Sequence, residues 1–99
     1  GEKSKINLNN IYIKNSNIGI EVKDNSYVNI INSKLEKNSI ALNLYKKKIE
    51  YYGEEKIYLN NINFSENVLD IMASKSGIVY IENISSNLKK EGNGQLIYN

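Results

Sequence analysis

Short apolar stretches alternate with polar turns along the whole chain. The stretch KINLNNIYI, residues 5–13, returns almost unchanged as KIYLNNINF at residues 56–64. Aligning the chain with itself gives four segments of 22 residues, at 5–26, 27–48, 56–77 and 78–99, with a seven-residue insertion at 49–55. Two segments and the insertion account for the 51 positions between the two similar stretches. The pattern therefore predicts a structure built from repeated units.

Apolar residues of the aligned segments fall at shared positions that alternate with polar ones. Alternation with period two is typical of β-strands that bury one face. Asn, Ser, Asp, Lys and Gly separate these strands, as expected of turns. The shared apolar positions are Ile6, Val28, Ile57 and Val79; Leu8, Ile30, Leu59 and Ile81; Ile13, Leu35 and Phe64; Ile18, Ile40 and Leu69; Ile20, Leu42 and Ile71; and Val22, Leu44 and Ala73.

Two polar positions are also shared. Asparagine adopts the left-handed backbone conformation more readily than other non-glycine residues, and stacked amides can bond to one another. We therefore predict a structural ladder of side chains, one from each segment. Its members are Asn10, Asn32, Asn61 and Asn83, and a second shared position holds Ser16, Asn38 and Asn67.

These patterns predict an all-β fold, a right-handed parallel β-helix of about four 22-residue turns with one loop insertion and a C-terminal cap. Neighbouring turns of such a fold lie roughly 4.8 Å apart. The absence of proline agrees with strands that use every N–H group. An α+β fold with an amphipathic helix over residues 39–56 is the alternative, but it leaves the shared positions unexplained.

The two ends of the chain differ. The final stretch SSNLKKEGNGQLIYN departs from the pattern, apart from a predicted short strand at 95–98 that follows Gly92, Asn93 and Gly94. We interpret this stretch as the cap. Residues 1–4 are too few to cover the first segment, so we expect upstream turns or another domain of a parent chain to pack there. A second copy of the chain is the other predicted partner for this N-terminal edge.

Composition excludes several classes of protein. The 99 residues, 11.3 kDa, suffice for one domain. All 13 basic residues are lysines and the net charge is +2, whereas nucleic-acid binders usually carry a strong basic excess with arginine. Without cysteine there is no disulfide framework, and without an apolar run of about 18 residues there is no membrane span.

The stretches NIGIEVKDNSYVNIINSKL and KIYLNNINFSEN resemble right-handed parallel β-helix proteins of the pectate-lyase-like superfamily. The longer stretch KNSIALNLYKKKIEYYGEEKIYLNNINFSEN resembles β-helical segments of bacterial spore-coat-kinase-like (CotH-type) proteins. The resemblance implies a scaffold or glycan-contacting part of a secreted or cell-surface bacterial protein, although this segment has no targeting signal. Enzymes of the superfamily use clustered acidic residues, often with calcium, arginine or histidine. This chain departs from that pattern, because it has two aspartates and neither arginine nor histidine.

Carboxylates give little indication of catalysis. Asp24 and Asp70 occupy different positions two segments apart, and Glu21 with Asp24 is the closest approach to an acid pair. Asp24, Asn25 and Ser26 could supply calcium ligands, but the sequence KDNS is more typical of a solvated turn. We predict no catalytic residue, no metal ligand and no cofactor.

The insertion is the most informative candidate site. Its tyrosines offer ring faces for sugars or partner side chains, and the lysines before it suit an anionic polymer. Alternatively, the tyrosines cover an apolar edge and the lysines keep the chain soluble. Tyr58 and Tyr80 share an outward position with Asn7 and Asn29 and would extend an aromatic patch. The predicted ligand-binding residues are Tyr45, Lys46, Lys47, Lys48, Tyr51, Tyr52 and Tyr58.

The sequence thus predicts a non-catalytic structural or binding module that contacts glycan or a protein through residues 45–58. The alternative is the C-terminal part of a polysaccharide lyase or hydrolase whose catalytic turns lie upstream.

Overall fold

A computed structural model describes residues 4–46, 53–85 and 87–99, and within these ranges the chain is all-β. Its strands are β1 Lys5–Asn9, β2 Tyr12–Lys14, β3 Ile18–Lys23, β4 Tyr27–Glu36, β5 Ile40–Tyr45, β6 Glu55–Ser65, β7 Leu69–Ala73, β8 Gly77–Glu82, β9 Lys90–Glu91 and β10 Gln95–Tyr98.

The strands form two parallel sheets. The larger sheet has the order β1-β4-β6-β8-β10, and β2 pairs with the second half of β4. The smaller sheet has the order β3-β5-β7-β9. Apart from β1 and β2, which both belong to the larger sheet, consecutive strands of the chain lie in different sheets, and each sheet gathers strands that are distant in sequence.

Strand register follows the shared apolar positions. Ile6 pairs with Val28, which pairs with Ile57, and Ile57 pairs with Val79. Like side chains therefore lie over like ones, and the inward faces of both sheets merge into one core. The largest fully buried apolar side chains of this core are Ile30, Leu35, Leu42, Leu44, Ile57, Leu59, Ile71, Ile81, Val22 and Val79.

The predicted fold class is wrong. The described strands form two separate parallel sheets rather than the closed coil of a four-turn right-handed β-helix, so the solenoid interpretation of the repeat is wrong as well. The radius of gyration, 12.4 Å, is that of a compact globule, for which about 13 Å is expected at this length. The physical reason is that shared apolar positions report which strands pair. They do not determine how the sheets are connected.

Other expectations are resolved by the strands themselves. The alternative helix over 39–56 is wrong where the structure describes it, because β5 and the start of β6 lie there. The short strand predicted at 95–98 is confirmed as β10. Within the described ranges, no helix is long and apolar enough to span a membrane.

Left-handed residues bend the chain between strands. Asn10, Asn32, Asn61 and Asn83 have φ angles of 60°, 52°, 60° and 57°. Asn32 and Asn61 lie inside β4 and β6, so each of these long strands changes direction at its asparagine. Lys37 and Glu66 also have φ angles of 56°, although lysine and glutamate are not residue types that favour the left-handed conformation. These two mark the corner that leads from the larger sheet to the smaller one.

Candidate functional site: the outer face of the larger sheet

Three tyrosines stack on the outer face of the larger sheet. The ring centroids of Tyr27 and Tyr58 are 4.9 Å apart with an interplanar angle of 29°, and those of Tyr58 and Tyr80 are 4.3 Å apart at 10°. Adjacent strands β4, β6 and β8 supply one ring each, so the strand spacing sets the stacking distance. We call these three residues the tyrosine stack.

The broad faces of the stacked rings are largely used within the protein. Tyr58 is covered on both sides by its neighbours, and the ammonium of Lys5 lies 5.5 Å from the centroid of Tyr27. At the opposite end of the tyrosine stack, Tyr80 on β8 pairs in register with Ile97 on β10. The tyrosine stack therefore presents ring edges and hydroxyls to solvent, and the aromatic patch predicted for Tyr58 and Tyr80 has its broad faces covered.

A polar groove runs beside the tyrosine stack. It has a volume of about 260 Å³, and its polar lining includes Asn29, Asn60 and Glu82. The Asn83 amide donates to Asn60 Oδ1 at 2.8 Å, which fixes the orientation of the Asn60 side chain. Amide and carboxylate groups next to aromatic edges can hydrogen-bond an extended polar ligand.

A second cleft meets the groove at Tyr27. Its volume is about 540 Å³, and its lining includes Lys5, Lys56 and Glu54. Lys56 Nζ lies 3.5 Å from Glu54 Oε1, so part of its charge is already balanced. Partial burial of Tyr27, together with the nearby Tyr58, raises the pKa of its phenol above the ordinary value.

Only part of the predicted insertion site lies in the described ranges. Lys47, Lys48, Tyr51 and Tyr52 fall outside them. Tyr45 is on the smaller sheet, where it lines a depression of about 500 Å³ with Lys46 and Ser74–Ser76, whereas Tyr58 is on the larger sheet. The structure therefore places Tyr45 and Tyr58 at different clefts and does not bring them into one site.

Lys46 has an internal role that the sequence did not indicate. Its ammonium lies 3.5 Å from Glu55 Oε2 and donates to the Gly53 carbonyl at 3.1 Å. Glu55 is fully buried, and its carboxylate also accepts from the backbone N–H of Asn25 at 3.4 Å and from the Ser76 hydroxyl. A buried carboxylate requires such partners, so this cluster anchors the end of the insertion to the body.

The two polar ladders predicted from the sequence differ in the structure. At the exposed position, Asn61 donates to Asn32 Oδ1 at 2.8 Å, while Asn83 bonds to Asn60 instead of Asn61. At the second position, Asn67 Oδ1 accepts from the backbone N–H and the amide of Asn38, at 2.8 and 3.0 Å. Asn38 Oδ1 in turn accepts from the Ser16 N–H at 2.9 Å. Ser16, Asn38 and Asn67 form what we call the inner column.

The acidic residues considered for catalysis or metal binding lie apart from one another, in a buried hydrogen-bonded position, on an exposed strand face and in a turn. Asp70 is 4 % exposed, and it accepts from the Asn67 amide at 3.0 Å and from the Lys89 N–H at 2.9 Å, which ends the inner column. Glu21 is exposed on β3, and Asp24 lies in the following turn with a φ angle of 51°. Within the described ranges, no group of three or more acidic, histidine or cysteine side chains is placed to hold a metal ion.

Known proteins add no identification. No family model, no curated protein and no solved structure matches the chain. The resemblance to pectate-lyase-like and spore-coat-kinase-like proteins therefore stays a prediction.

Tyr27 is a residue of the candidate site that sequence reasoning missed. It has no aromatic counterpart at its shared position, which holds Lys5 and Lys56 in other segments. Its diagonal contact with Tyr58 depends on ring size rather than on direct pairing, since Tyr58 pairs with Asn29. Alternation along β4 was the available signal, because it places Tyr27 and Asn29 on one outward face.

Proposed function

We propose that this chain is a non-catalytic binding module of a bacterial surface or secreted protein and that it contacts glycan through the outer face of the larger sheet. The observation that carries the proposal is the tyrosine stack beside a polar groove of about 260 Å³. Stacked rings cost little conformational entropy on binding and give the groove a rigid wall.

Hydrogen bonding is the main contribution expected from this face. Asn29, Asn60 and Glu82 line the groove, and the tyrosine hydroxyls lie at the free edges of the rings. Sugars present hydroxyls along a chain, so a row of donors and acceptors on a flat sheet suits them. The ring edges supply apolar contact, in place of the face stacking expected from the sequence.

Few carboxylate side chains line this face. Glycoside hydrolysis commonly uses two carboxyl groups on either side of the scissile bond. Among the described residues, Glu82 is the one carboxylate lining the groove, and Glu54, paired with Lys56, is the one lining the adjoining cleft. No observation in the described ranges favours the alternative of a polysaccharide lyase or hydrolase.

A glycan array followed by titration calorimetry tests the proposal. We expect the intact chain to bind one class of oligosaccharide and Tyr58→Ala to weaken that binding about tenfold or more, since it removes the central ring. Tyr12→Ala is the matched control, because Tyr12 is 53 % exposed but lies beside the second half of β4, beyond the bend at Asn32, and lines neither the groove nor the adjoining cleft. An array without hits, or equal weakening in both variants, would contradict the proposal. Binding to a protein partner alone would also contradict it.

A further inference from the structure

The larger sheet has an open edge at each end. Among the described residues, β1 pairs only with β4, and β10 pairs only with β8. An edge strand presents unpaired N–H and C=O groups that can accept another parallel or antiparallel strand. Both edges belong to the same sheet. If β10 of one copy pairs with β1 of another, the two larger sheets therefore join into one continuous parallel sheet.

Hydrogen-bond direction shows which backbone groups face outward. The Tyr27 N–H donates to the Ser4 carbonyl and the Asn10 N–H donates to the Ile31 carbonyl, so alternate residues of β1 bond to β4. The remaining residues of β1 consequently direct their backbone N–H and C=O groups to the open edge, away from β4. They are Lys5, Asn7 and Asn9. On β10, the Asn99 N–H donates to the Ile81 carbonyl, which leaves the backbone groups of Leu96 and Tyr98 facing outward.

The side chains at the two edges match. Ile6 is 47 % exposed and Tyr98 is 58 % exposed, although both lie at positions that are buried in the middle of the sheet. Extending the register by one strand places Leu96 beside Ile6 of a second copy, and Tyr98 beside Leu8. Each contact covers apolar surface that a single chain leaves in water.

The charge distribution favours contact between the β1 edge of one copy and the β10 edge of another. In the first half of the chain the described residues include six lysines and three acidic residues, a net +3, whereas those of the second half include four lysines and six acidic residues, a net −2. The first half supplies β1 and the second half supplies β10. A head-to-tail contact brings opposite charges together, while a symmetric β1-to-β1 contact brings two positive ends together.

We propose that the chain associates head to tail, with β10 of one copy pairing in parallel with β1 of the next, in the register Leu96 to Ile6. The contact is limited to the larger sheet. On the smaller sheet β9 has two residues, and continued register would set Glu91 against Glu21 of the next copy. A single short strand buries little surface, so association is weak and open-ended and calls for high protein concentration.

Sedimentation equilibrium on the intact chain at rising concentration provides the first test. We expect the weight-average mass to rise steadily above 11.3 kDa, past the dimer, and to fall back as salt is added. A mass that stays at the monomer value, or one that levels off at the dimer, would overturn the proposal.

Two edge variants identify the strands involved. Asn7→Pro and Tyr98→Pro each remove one outward N–H without removing a bond to the neighbouring strand. Each variant alone should stay monomeric, but an equimolar mixture should form a one-to-one dimer, because one intact β1 and one intact β10 remain. Val68→Ser is the control, since Val68 is 78 % exposed and lies outside both edges. It should associate like the parent chain.

The variants measured one at a time also distinguish head-to-tail association from a symmetric contact. Dimerisation of Tyr98→Pro by itself would show a β1-to-β1 contact and overturn the head-to-tail arrangement. Circular dichroism of each variant checks its folding. If a proline variant is unfolded, Ile6→Lys replaces Asn7→Pro, since it places a charge in the same contact without altering the backbone. Glycan binding is measured separately, so failure of association leaves the proposed function untouched.

Discussion

The inner column and the tyrosine stack are both built from side chains stacked on successive layers of strands, yet one is buried and the other lies on the surface. Asn38 and Asn67 are each 1 % exposed, and their amides bond to backbone groups as well as to each other. The stacked tyrosines keep partly exposed edges and contact one another on the surface of the sheet. Repetition produces both features, and burial decides which one stabilises the fold and which one is open to a ligand.

Loss of the inner column should have the largest effect on stability. Asn67→Ala removes the acceptor for two bonds from Asn38 and the donor to the Leu35 carbonyl and Asp70 Oδ1. We expect the free energy of unfolding to fall by about 3 kcal/mol, because four polar groups on three residues lose a partner. Urea denaturation measures this change. Asn61→Ser, at the exposed ladder, should change stability by far less, and an equal loss would contradict the comparison.

Removing the central ring of the tyrosine stack should cost less stability. Tyr58→Ala deletes two ring contacts on a partly exposed surface, so we expect a loss of about 1–2 kcal/mol. The variant should still unfold in one cooperative transition in urea. A loss as large as that of Asn67→Ala would show that the tyrosine stack is part of the core rather than a surface feature.

The corner between the sheets offers a stabilising change. Lys37 has a φ angle of 56°, which costs a side chain with a Cβ roughly 1–2 kcal/mol, and glycine avoids that cost. After the entropy that glycine gains in the unfolded chain, Lys37→Gly should raise stability by about 0.5 kcal/mol. Lys34→Gly, inside β4 at an ordinary strand conformation, should lower it instead. Thermal unfolding of the two variants provides the measurement.

The smallest effect concerns an exposed pair away from both features. The Tyr12 hydroxyl donates to the Glu36 carboxylate, which lowers the pKa of Glu36 and raises the pKa of Tyr12. The contribution of Glu36 to the free energy of unfolding is present above its ordinary pKa of about 4.5. It is lost as pH falls through the lower pKa that Glu36 has in the folded chain. That of Tyr12 is present below pH 10 and is lost as pH rises through the raised folded value.

Tyr12→Phe should therefore be slightly less stable than the parent chain at neutral pH and should converge with it in acid. Unfolding in urea at several pH values, together with ultraviolet titration of the phenols, measures both changes. Stability curves that run parallel at all pH values would show that the hydrogen bond contributes nothing.

Sequence predicted strand pairing more successfully than the arrangement of the sheets. Ile6, Val28, Ile57 and Val79 pair as aligned, because side-chain alternation and register follow directly from the pattern. Closure into a coil did not follow, since it depends on how the corners direct the chain. Those corners include Lys37 and Glu66, which adopt left-handed conformations although neither is a residue typical of them.

The candidate site was predicted only in part. Tyr58 and Tyr80 were placed on one outward face by alternation, and they do stack. Tyr27 was missed because its contact is diagonal, and the buried Glu55 was missed because a glutamate beside a loop is normally solvated. Lys46 was predicted to bind a ligand, but its ammonium contacts that buried carboxylate. Burial of single polar residues depends on the tertiary arrangement, which the sequence pattern does not describe.

The most direct test of the central claim, that the larger sheet binds glycan while the inner column supports the fold, is an amide NMR titration of the labelled chain. Hexagalacturonate and cellohexaose serve as an acidic and a neutral probe, alongside any oligosaccharide that binds on the array. We predict that shift changes concentrate on β4, β6 and β8 around Tyr27, Tyr58 and Tyr80, and that the residues around Asn38 and Asn67 stay unchanged. Changes centred on β5 and β7, or no saturable change with any probe, would contradict the account.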